Sequence, residues 1–268
     1  MMKTNSEVIG TYVELAPLAL AFERVMECRI LDAQQFEHPV LDIGCGEGLF
    51  AKILFQDKID TGIDPNPREL ERARELGAYA ELIECRGDAI PKPDAYYRTI
   101  FSNSVLEHIP DLRPVLDEAY RLLAPGGRMF ITVPSDKFEQ YTWISQTLAV
   151  TGLKSLQLRF RKFFNNFWAH YHFYTPAQWA KLVEQSGFDV EEVYSYAPKR
   201  VCMLNNFLVP FSIPSLFTKK LLNHWTLLPK ARRALLSPVV AFGHALLHNA
   251  ERCEDGGLVF ISLRKKSQ

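Results

Sequence analysis

Val40-Leu41-Asp42-Ile43-Gly44-Cys45-Gly46-Glu47-Gly48 decides how the rest of the chain is read. The apolar run that begins at Val40 has the length and composition of a short buried strand. Glycine then occupies positions 44, 46 and 48, and from Leu49 to Gln56 the apolar spacing becomes that of a helix. Strand, glycine turn, helix is a layout in which main chain approaches a ligand closely, because glycine has no Cβ and tolerates positive φ. The helix that follows offers unpaired N–H groups and the positive end of its dipole. A dinucleotide fingerprint requires Gly-x-Gly-x-x-Gly. Here the spacing is Gly-x-Gly-x-Gly, and an acidic residue, Asp42, stands two places before the first glycine.

Working outward, Lys58–Asp64 reads as a second strand, closed by Asp64 twenty residues after Gly44. A carboxylate there can accept two hydrogen bonds from ribose hydroxyls, as in doubly wound folds generally. Pro65 and Pro67 punctuate the turn, which leaves Asp64 as a helix N-cap the competing reading. Arg68–Leu76 is a charged surface helix, and Ala80–Cys85 a third strand ending in Arg86-Gly87-Asp88-Ala89. Tyr97–Ser102 is a short buried fourth strand, followed by Asn103-Ser104-Val105-Leu106-Glu107-His108. In open α/β sheets the ligand crevice lies at such strand ends. A helix over Asp111–Leu123, capped by Asp111 and stopped by Ala124-Pro125-Gly126-Gly127, leads to a fifth strand at Arg128–Val133.

Asp42, the three glycines, Asp64 and the Gly87-Asp88-Ala89 turn, in this order, resemble the class I S-adenosylmethionine-dependent methyltransferases over roughly Val40–Val133. The resemblance implies an α/β fold: a doubly wound, mostly parallel seven-stranded sheet with an antiparallel last strand. It implies S-adenosyl-L-methionine as cofactor, with Asp42 near its cationic aminoacyl end and Gly44, Cys45, Gly46 and Gly48 against it. Asp64 and Pro65 would then serve the ribose. Asp88 would accept from the exocyclic amine of adenine, Ala89 would offer its N–H to a ring nitrogen, and Asn103 and Ser104 would complete the site. Leu106-Glu107-His108 is similar to the segment that follows this strand in small-molecule methyltransferases, the quinone-precursor O-methyltransferases among them. His108 is the candidate general base, since an imidazole titrating near 6.5 suits proton removal at neutral pH. The alternative is that Glu107 or His108 orients neighbouring loops.

The chain reads as one domain over residues 1–268, with a helical cover at 1–37 and a cofactor-binding core at 38–135. Residues Val8–Leu31 have helical spacing, broken or restarted at Pro17, and Tyr12 either covers the cofactor or packs. Two insertions depart from the minimal pattern. The first, 136–174, is aromatic and basic. So many rings favour a hydrophobic pocket, whose candidate substrate residues are Glu107, Trp168, His170, His172 and Tyr174. His170-x-His172 has no carboxylate or cysteine close in sequence, so no metal is expected. Thr175–Gly187 is a helix with Thr175 as cap and Pro176 in the first position, and Phe188–Tyr196 and Leu258–Arg264 are strands.

The second insertion, 198–253, is helical, apolar and basic. From Pro198 onward there are 11 Lys/Arg against 3 Asp/Glu, so in a chain of zero net charge the first 197 residues carry the acidic balance. Lys219-Lys220-Leu221-Leu222 and Lys230–Leu236 read either as an amphipathic surface that lies on an anionic membrane or as helices that pack on the sheet with lysines in water. No RNA-binding module pattern accompanies the charge, so no nucleic-acid partner is expected. The richest apolar stretches, Phe207–Phe217 and Ala234–Leu247, are interrupted by prolines, glycine or His244, and neither reads as a membrane span. The five cysteines are odd in number, widely spaced and without Cys-x-x-Cys, which argues against a disulfide framework or a structural zinc site. With no apolar leader after Met1, the expectation is a reduced, cytoplasmic protein, at the inner face of a membrane if the second insertion binds lipid.

The resulting expectation is methyl transfer to a hydrophobic or aromatic small molecule, most naturally an O-methylation. Two alternatives stay open: methylation of a protein or RNA, and a non-catalytic module that binds S-adenosylmethionine. Against amino-base methylation, Asn103-Ser104-Val105-Leu106 stands where Asn-Pro-Pro-aromatic would be required.

Overall fold

The strands of the sheet are β1 (Val40–Ile43), β2 (Ile59–Asp64), β3 (Tyr79–Glu84), β4 (Tyr97–Asn103), β5 (Leu123–Pro134), β6 (Asp189–Tyr196) and β7 (Leu258–Arg264). A computed structural model, which describes residues 5–247 and 252–267, orders them β3-β2-β1-β4-β5-β7-β6. Residues 1–4, part of the stretch searched for a leader, lie outside the described residues. β1 to β5 pair in parallel, and β7 inserts antiparallel between β5 and β6. The doubly wound sheet with an antiparallel last strand is therefore present.

Both faces of the sheet are covered, so its central strands are buried on either side. Alternation along β5 shows the division: Phe130 joins the cluster holding Phe22 and Met26, while Met129 and Ile131 join the cluster holding Leu116 and Trp179. Pro17 separates α1 (Asn5–Leu15) from α2 (Leu18–Asp32), as the spacing required. The crossover helices are α3 (Leu49–Leu54), α4 (Pro67–Leu76) and α5 (Arg113–Leu122). The N-cap of α4 is Asn66, whose side chain accepts from Arg68 N–H, so Asp64 is not the cap.

Several boundaries shift by a residue or two, and those of α5 and β5 have a visible cause. α5 starts at Arg113 rather than Asp111, although Asp111 still accepts from Arg113 N–H at 3.3 Å. β5 begins at Leu123, because Ala124-Pro125-Gly126-Gly127 is a bulged part of the strand and not a helix stop. Gly126, at φ 76°, turns the chain there; its N–H donates to Lys265 O, and Gly127 O accepts from Lys265 N–H.

The first insertion forms α6 (Trp143–Val150) and α7 (Lys154–Phe167), and α8 (Pro176–Glu184) follows with a Thr175/Gln178 capping box. The second forms α9 (Lys199–Leu222), α10 (Pro229–Leu235) and α11 (Ser237–Leu246). α9 corrects the sequence reading. It runs through Pro210 and Pro214, and it is long and apolar enough by length and composition alone to cross a membrane. The two prolines stand four residues apart on one exposed face, so the carbonyls that lose their partners face outward. The opposite face packs on α2. There Ser212 Oγ accepts from Ala19 N–H at 3.0 Å, which satisfies an orphan donor in the first turn of α2.

Candidate active site

Gly44, Gly46 and Gly48 all have left-handed φ values of 79°, 51° and 78°, but for different reasons. A Cβ on Gly44 would lie 2.4 Å from Val105 Cγ1, and one on Gly48 would lie 3.0 Å from the Tyr79 ring. A Cβ on Gly46 would meet nothing within 4 Å. Two glycines let the loop pack on its own protein; Gly46 faces open space. The loop is held from β2: Ile63 O accepts from Gly44 and Cys45 N–H, and Asp64 accepts from Gly46 N–H at 3.0 Å.

Asp64 also accepts from Asn66 N–H at 2.8 Å. Burial raises its carboxyl above the usual range against these two bonds. Two oxygens offer about four acceptor sites, so capacity for two hydroxyl donors remains. Asp42 is buried at the end of β1 and accepts from Tyr79 O–H at 2.6 Å. Burial pushes it up to about 7 despite that bond, so a cationic ligand group beside it would be favoured strongly.

Two cavities lie at the carboxyl ends of β1 and β4. The first, about 210 Å³, is lined by Asp42, the glycine loop with Cys45, Asn103, Ser104 and Tyr12. The second, about 330 Å³, is lined mainly by apolar and aromatic side chains, among them Phe138, Phe164, Trp168 and Val209. They share Pro17, Leu20, Arg24, Ser104 and Trp225, and so meet at that seam.

The seam rests on a polar network that local sequence patterns did not reveal. Glu27, fully buried on α2, accepts from Arg24, from Asn103 Nδ2 at 3.0 Å, from Ser104 Oγ at 2.9 Å and from Tyr196 O–H at 3.3 Å. Arg24 in turn donates to Ser104 Oγ at 2.8 Å. Asn103 and Ser104 therefore form the wall of the first cavity with their side chains fixed from behind. The signal was present as Glu23-Arg24-x-x-Glu27 inside an apolar helix. Glu23 lines the second cavity, and burial, with Glu27 next, pushes it up to about 7.

Trp225 and Lys219 were also missed. Trp225 Nε1 donates to Glu47 Oε1 at 2.7 Å, and Lys219 Nζ donates to Glu47 and Glu69 at 3.1 and 3.0 Å. Lys219 was read with Lys220 as facing lipid or water; it instead ties the end of α9 to the glycine loop. Asp88 departs from expectation in another way. Its carboxylate is held bidentately by Arg86 at 3.1 and 2.9 Å, which keeps it below the usual range. Asp64, Pro65, Asp88 and Ala89 are not among the residues lining the first cavity, although Asp64 reaches its edge through Gly46 N–H. An adenine amine at Asp88 would have to compete with Arg86.

Beyond the seam, a short 3₁₀ turn over Leu106–His108 brings Glu107 and His108 to the wall of the second cavity. Glu107, His108 and His170 bring donor atoms within 4.8 Å of one another. No carboxylate stands close to His170 in sequence, but Glu107, remote in the chain, is adjacent in space, and the trio has the donor types to ligate a divalent cation. Glu107 is buried and pushed up to about 8 by that burial, with Oε2 unpartnered. His108 Nδ1 lies 3.3 Å from Ala169 O, which makes Nδ1–H the donor and leaves Nε2 basic. Burial lowers both imidazoles, His170 to about 4 with His108 adding to the effect. Trp168 lines the same cavity, but His172 and Tyr174 do not. His172 bridges Ile109 O at 2.8 Å and Tyr174 O–H at 3.1 Å, and both rings pack on Trp179. They brace α8 and stand outside that cavity.

A family model described as a methyltransferase domain matches residues 18–193. The chain belongs to the methyltransferase family. It is of the class I type, and S-adenosylmethionine is its cofactor. The first cavity fits that molecule: Gly46 leaves open space and Asp42 is a buried carboxylate for an ammonium, while Asp64, bonded to Gly46 N–H behind the loop, keeps free acceptor sites. Relatives include the ubiquinone biosynthesis O-methyltransferase of Vibrio atlanticus, 28% identical over 56% of this chain and 63% of that one. The 27-O-demethylrifamycin SV methyltransferase of Amycolatopsis mediterranei is 36% identical over 36% of this chain and 40% of its own length. The methyltransferase thus spans less than two thirds of the curated relatives it matches. Among solved structures, a Thermotoga maritima S-adenosylmethionine-dependent methyltransferase superposes with a TM-score of 0.57 at 18% identity, over 93% of this chain and 92% of that one, which establishes the fold. The family match ends at residue 193, before α9, whose residues wall the second cavity.

Proposed function

We propose that the protein transfers a methyl group from S-adenosylmethionine to a hydroxyl oxygen of a hydrophobic small molecule. The observation that carries this is the seam at Leu20, Arg24, Ser104 and Trp225, where a polar glycine-lined cavity opens into a larger apolar one. Bound at the glycine loop, the cofactor supplies a methyl group already activated on a sulfonium. The chain's task is then to align the acceptor, exclude water and receive one proton as the oxygen–methyl bond replaces the sulfur–methyl bond. Aromatic walls at Phe138, Phe164 and Trp168 would hold an apolar acceptor. His108, neutral at pH 7 with Nε2 basic, is placed to receive the proton, and Glu23 is the second group in that cavity whose titration range suits the task. The names of the O-methyltransferase relatives support oxygen as the acceptor atom.

The test uses methyl-labelled S-adenosylmethionine with a panel of alkyl phenols, catechols and their O-blocked and amino counterparts. Label recovered in the free-hydroxyl compounds and absent from the blocked ones is the expected result. Label in amines, in added protein or in RNA would move the acceptor class. No transfer to any of them, alongside tight S-adenosylhomocysteine binding, would favour a non-catalytic module.

A further inference from the structure

α9 is apolar on its outer face and only partly apolar on its inner one. The face it turns to α2 carries Val201, Cys202, Asn205, Ser212 and Ser215, which are buried. The face it turns to solvent carries Phe207, Phe211, Phe217 and Leu221, exposed by 53%, 63%, 64% and 78%. Their spacing, with Pro214 between, places them on one side of the helix. A helix that packs on a soluble domain normally keeps its outward face polar. α7 continues the surface with Phe163 and Phe167, also exposed and with ring centroids 6.0 Å apart.

The acceptor cavity opens on this same surface. Phe167, Ile213 and Leu216 line it and are at the same time 56%, 46% and 41% exposed, which marks its mouth. We propose that the outer face of α9, with the exposed side of α7, docks on an anionic lipid bilayer and that the acceptor enters the second cavity directly from the lipid. The lipophilic acceptor rests on the function proposed above; the docking does not.

Charge chooses the occupant. From Val193 to Ala250 the sequence has no Asp or Glu and seven Lys/Arg, and from Gln140 to Val183 none and five. Lys220 and Lys230 near the end of the α9 surface, and Lys162 beside Phe163, are exposed. A second copy would bring the same sign of charge to an isologous contact, whereas anionic headgroups complement it. The Ser212–Ala19 bond and the bonds of Lys219 to Glu47 and Glu69 hold α9 on the domain, so it lies on the bilayer rather than across it.

The test is co-sedimentation of the full chain with vesicles of phosphatidylcholine alone or mixed with phosphatidylglycerol, at low and high salt. The expected result is binding to the mixed vesicles that salt weakens. Phe211→Ser with Phe217→Ser should cut the bound fraction at least about tenfold, with S-adenosylhomocysteine binding unchanged as the check on folding. Lys220→Glu with Lys230→Glu should remove the preference for the anionic lipid. Three results would overturn the proposal: no binding of the wild type to either vesicle; binding that survives high salt and alkaline wash, the mark of an integral span; or a dimer in solution that the phenylalanine variants dissociate. Because vesicle binding needs no turnover, failure of the docking and failure of the acceptor class are read separately.

Discussion

Replacing Gly44 and Gly46 by alanine separates packing from ligand space within one loop. Both glycines sit in the left-handed region, so either alanine costs roughly 1–2 kcal/mol of backbone strain. At Gly44 the new methyl would also stand 2.4 and 2.6 Å from the two Val105 methyls. Overpacking of that kind costs about 1–3 kcal/mol more, so Gly44→Ala should lose about 2–5 kcal/mol in total. At Gly46 the methyl meets no protein atom within 4 Å, and the fold should lose only the strain. That methyl points into space assigned to the cofactor. Displacing a tightly packed ligand by about 1–3 kcal/mol corresponds to roughly 5- to 150-fold weaker binding. Urea unfolding gives the first quantity and calorimetric titration with S-adenosylhomocysteine the second. Gly44→Ala should be the less stable variant, and Gly46→Ala should stay folded but bind poorly. A Gly46→Ala protein with wild-type affinity would refute the assignment of the cavity, and equal stability of the two variants would refute the packing argument.

Three further outcomes follow from the same geometry. Asp64→Ala should weaken S-adenosylhomocysteine by roughly 1–3 kcal/mol through lost charged hydrogen bonds and a loosened Gly46; unchanged affinity by calorimetry would remove it from the ribose site. Burial raises Asp42 from near 4 to about 7, so its contribution to apoprotein stability is present below pH 4 and lost as pH rises through 7, by up to about 4 kcal/mol. Glu23 and Glu107 act in the same direction, so apoprotein urea midpoints should fall from pH 5 to pH 8 while the stabilisation by S-adenosylhomocysteine grows, and Asp42→Asn should flatten both trends. Glu27→Ala leaves Arg24 facing the seam without its carboxylate and should cost about 3–5 kcal/mol of stability; a urea midpoint within error of wild type would mean that the network is slack.

The cofactor half of the site was readable because it is local. Asp42, the glycine triplet and Asp64 are strand ends and turns, whose geometry is set by near neighbours. The acceptor half was not, because it is assembled from residues far apart in the chain. Glu27 meets Asn103, Trp225 meets Glu47, and Glu107 meets His170, each across more than sixty residues. His170, His172 and Tyr174 looked alike on paper; only packing on Trp179 separates the brace from the cavity wall. Pro210 and Pro214 read as breaks, since a helix through two prolines needs tertiary support that α2 supplies through Ser212. Lys219 was counted with the basic surface, but an acidic glycine-loop residue, Glu47, claims it. Charge and hydropathy described the second insertion correctly as apolar and basic, yet not that α9 turns Asn205, Ser212 and Ser215 inward and its phenylalanines outward.

The identity of the ligand in the glycine-lined cavity underlies every functional role assigned above. Thermal unfolding of the purified protein with S-adenosylmethionine, S-adenosylhomocysteine, NAD or no addition measures it. At about 100 times its dissociation constant a ligand adds roughly 2.7 kcal/mol, a rise of several degrees in Tm for a chain of this size. That rise is expected with both adenosyl compounds and not with NAD. A rise with NAD alone, or no rise with either adenosyl compound in folded, unloaded protein, would contradict it.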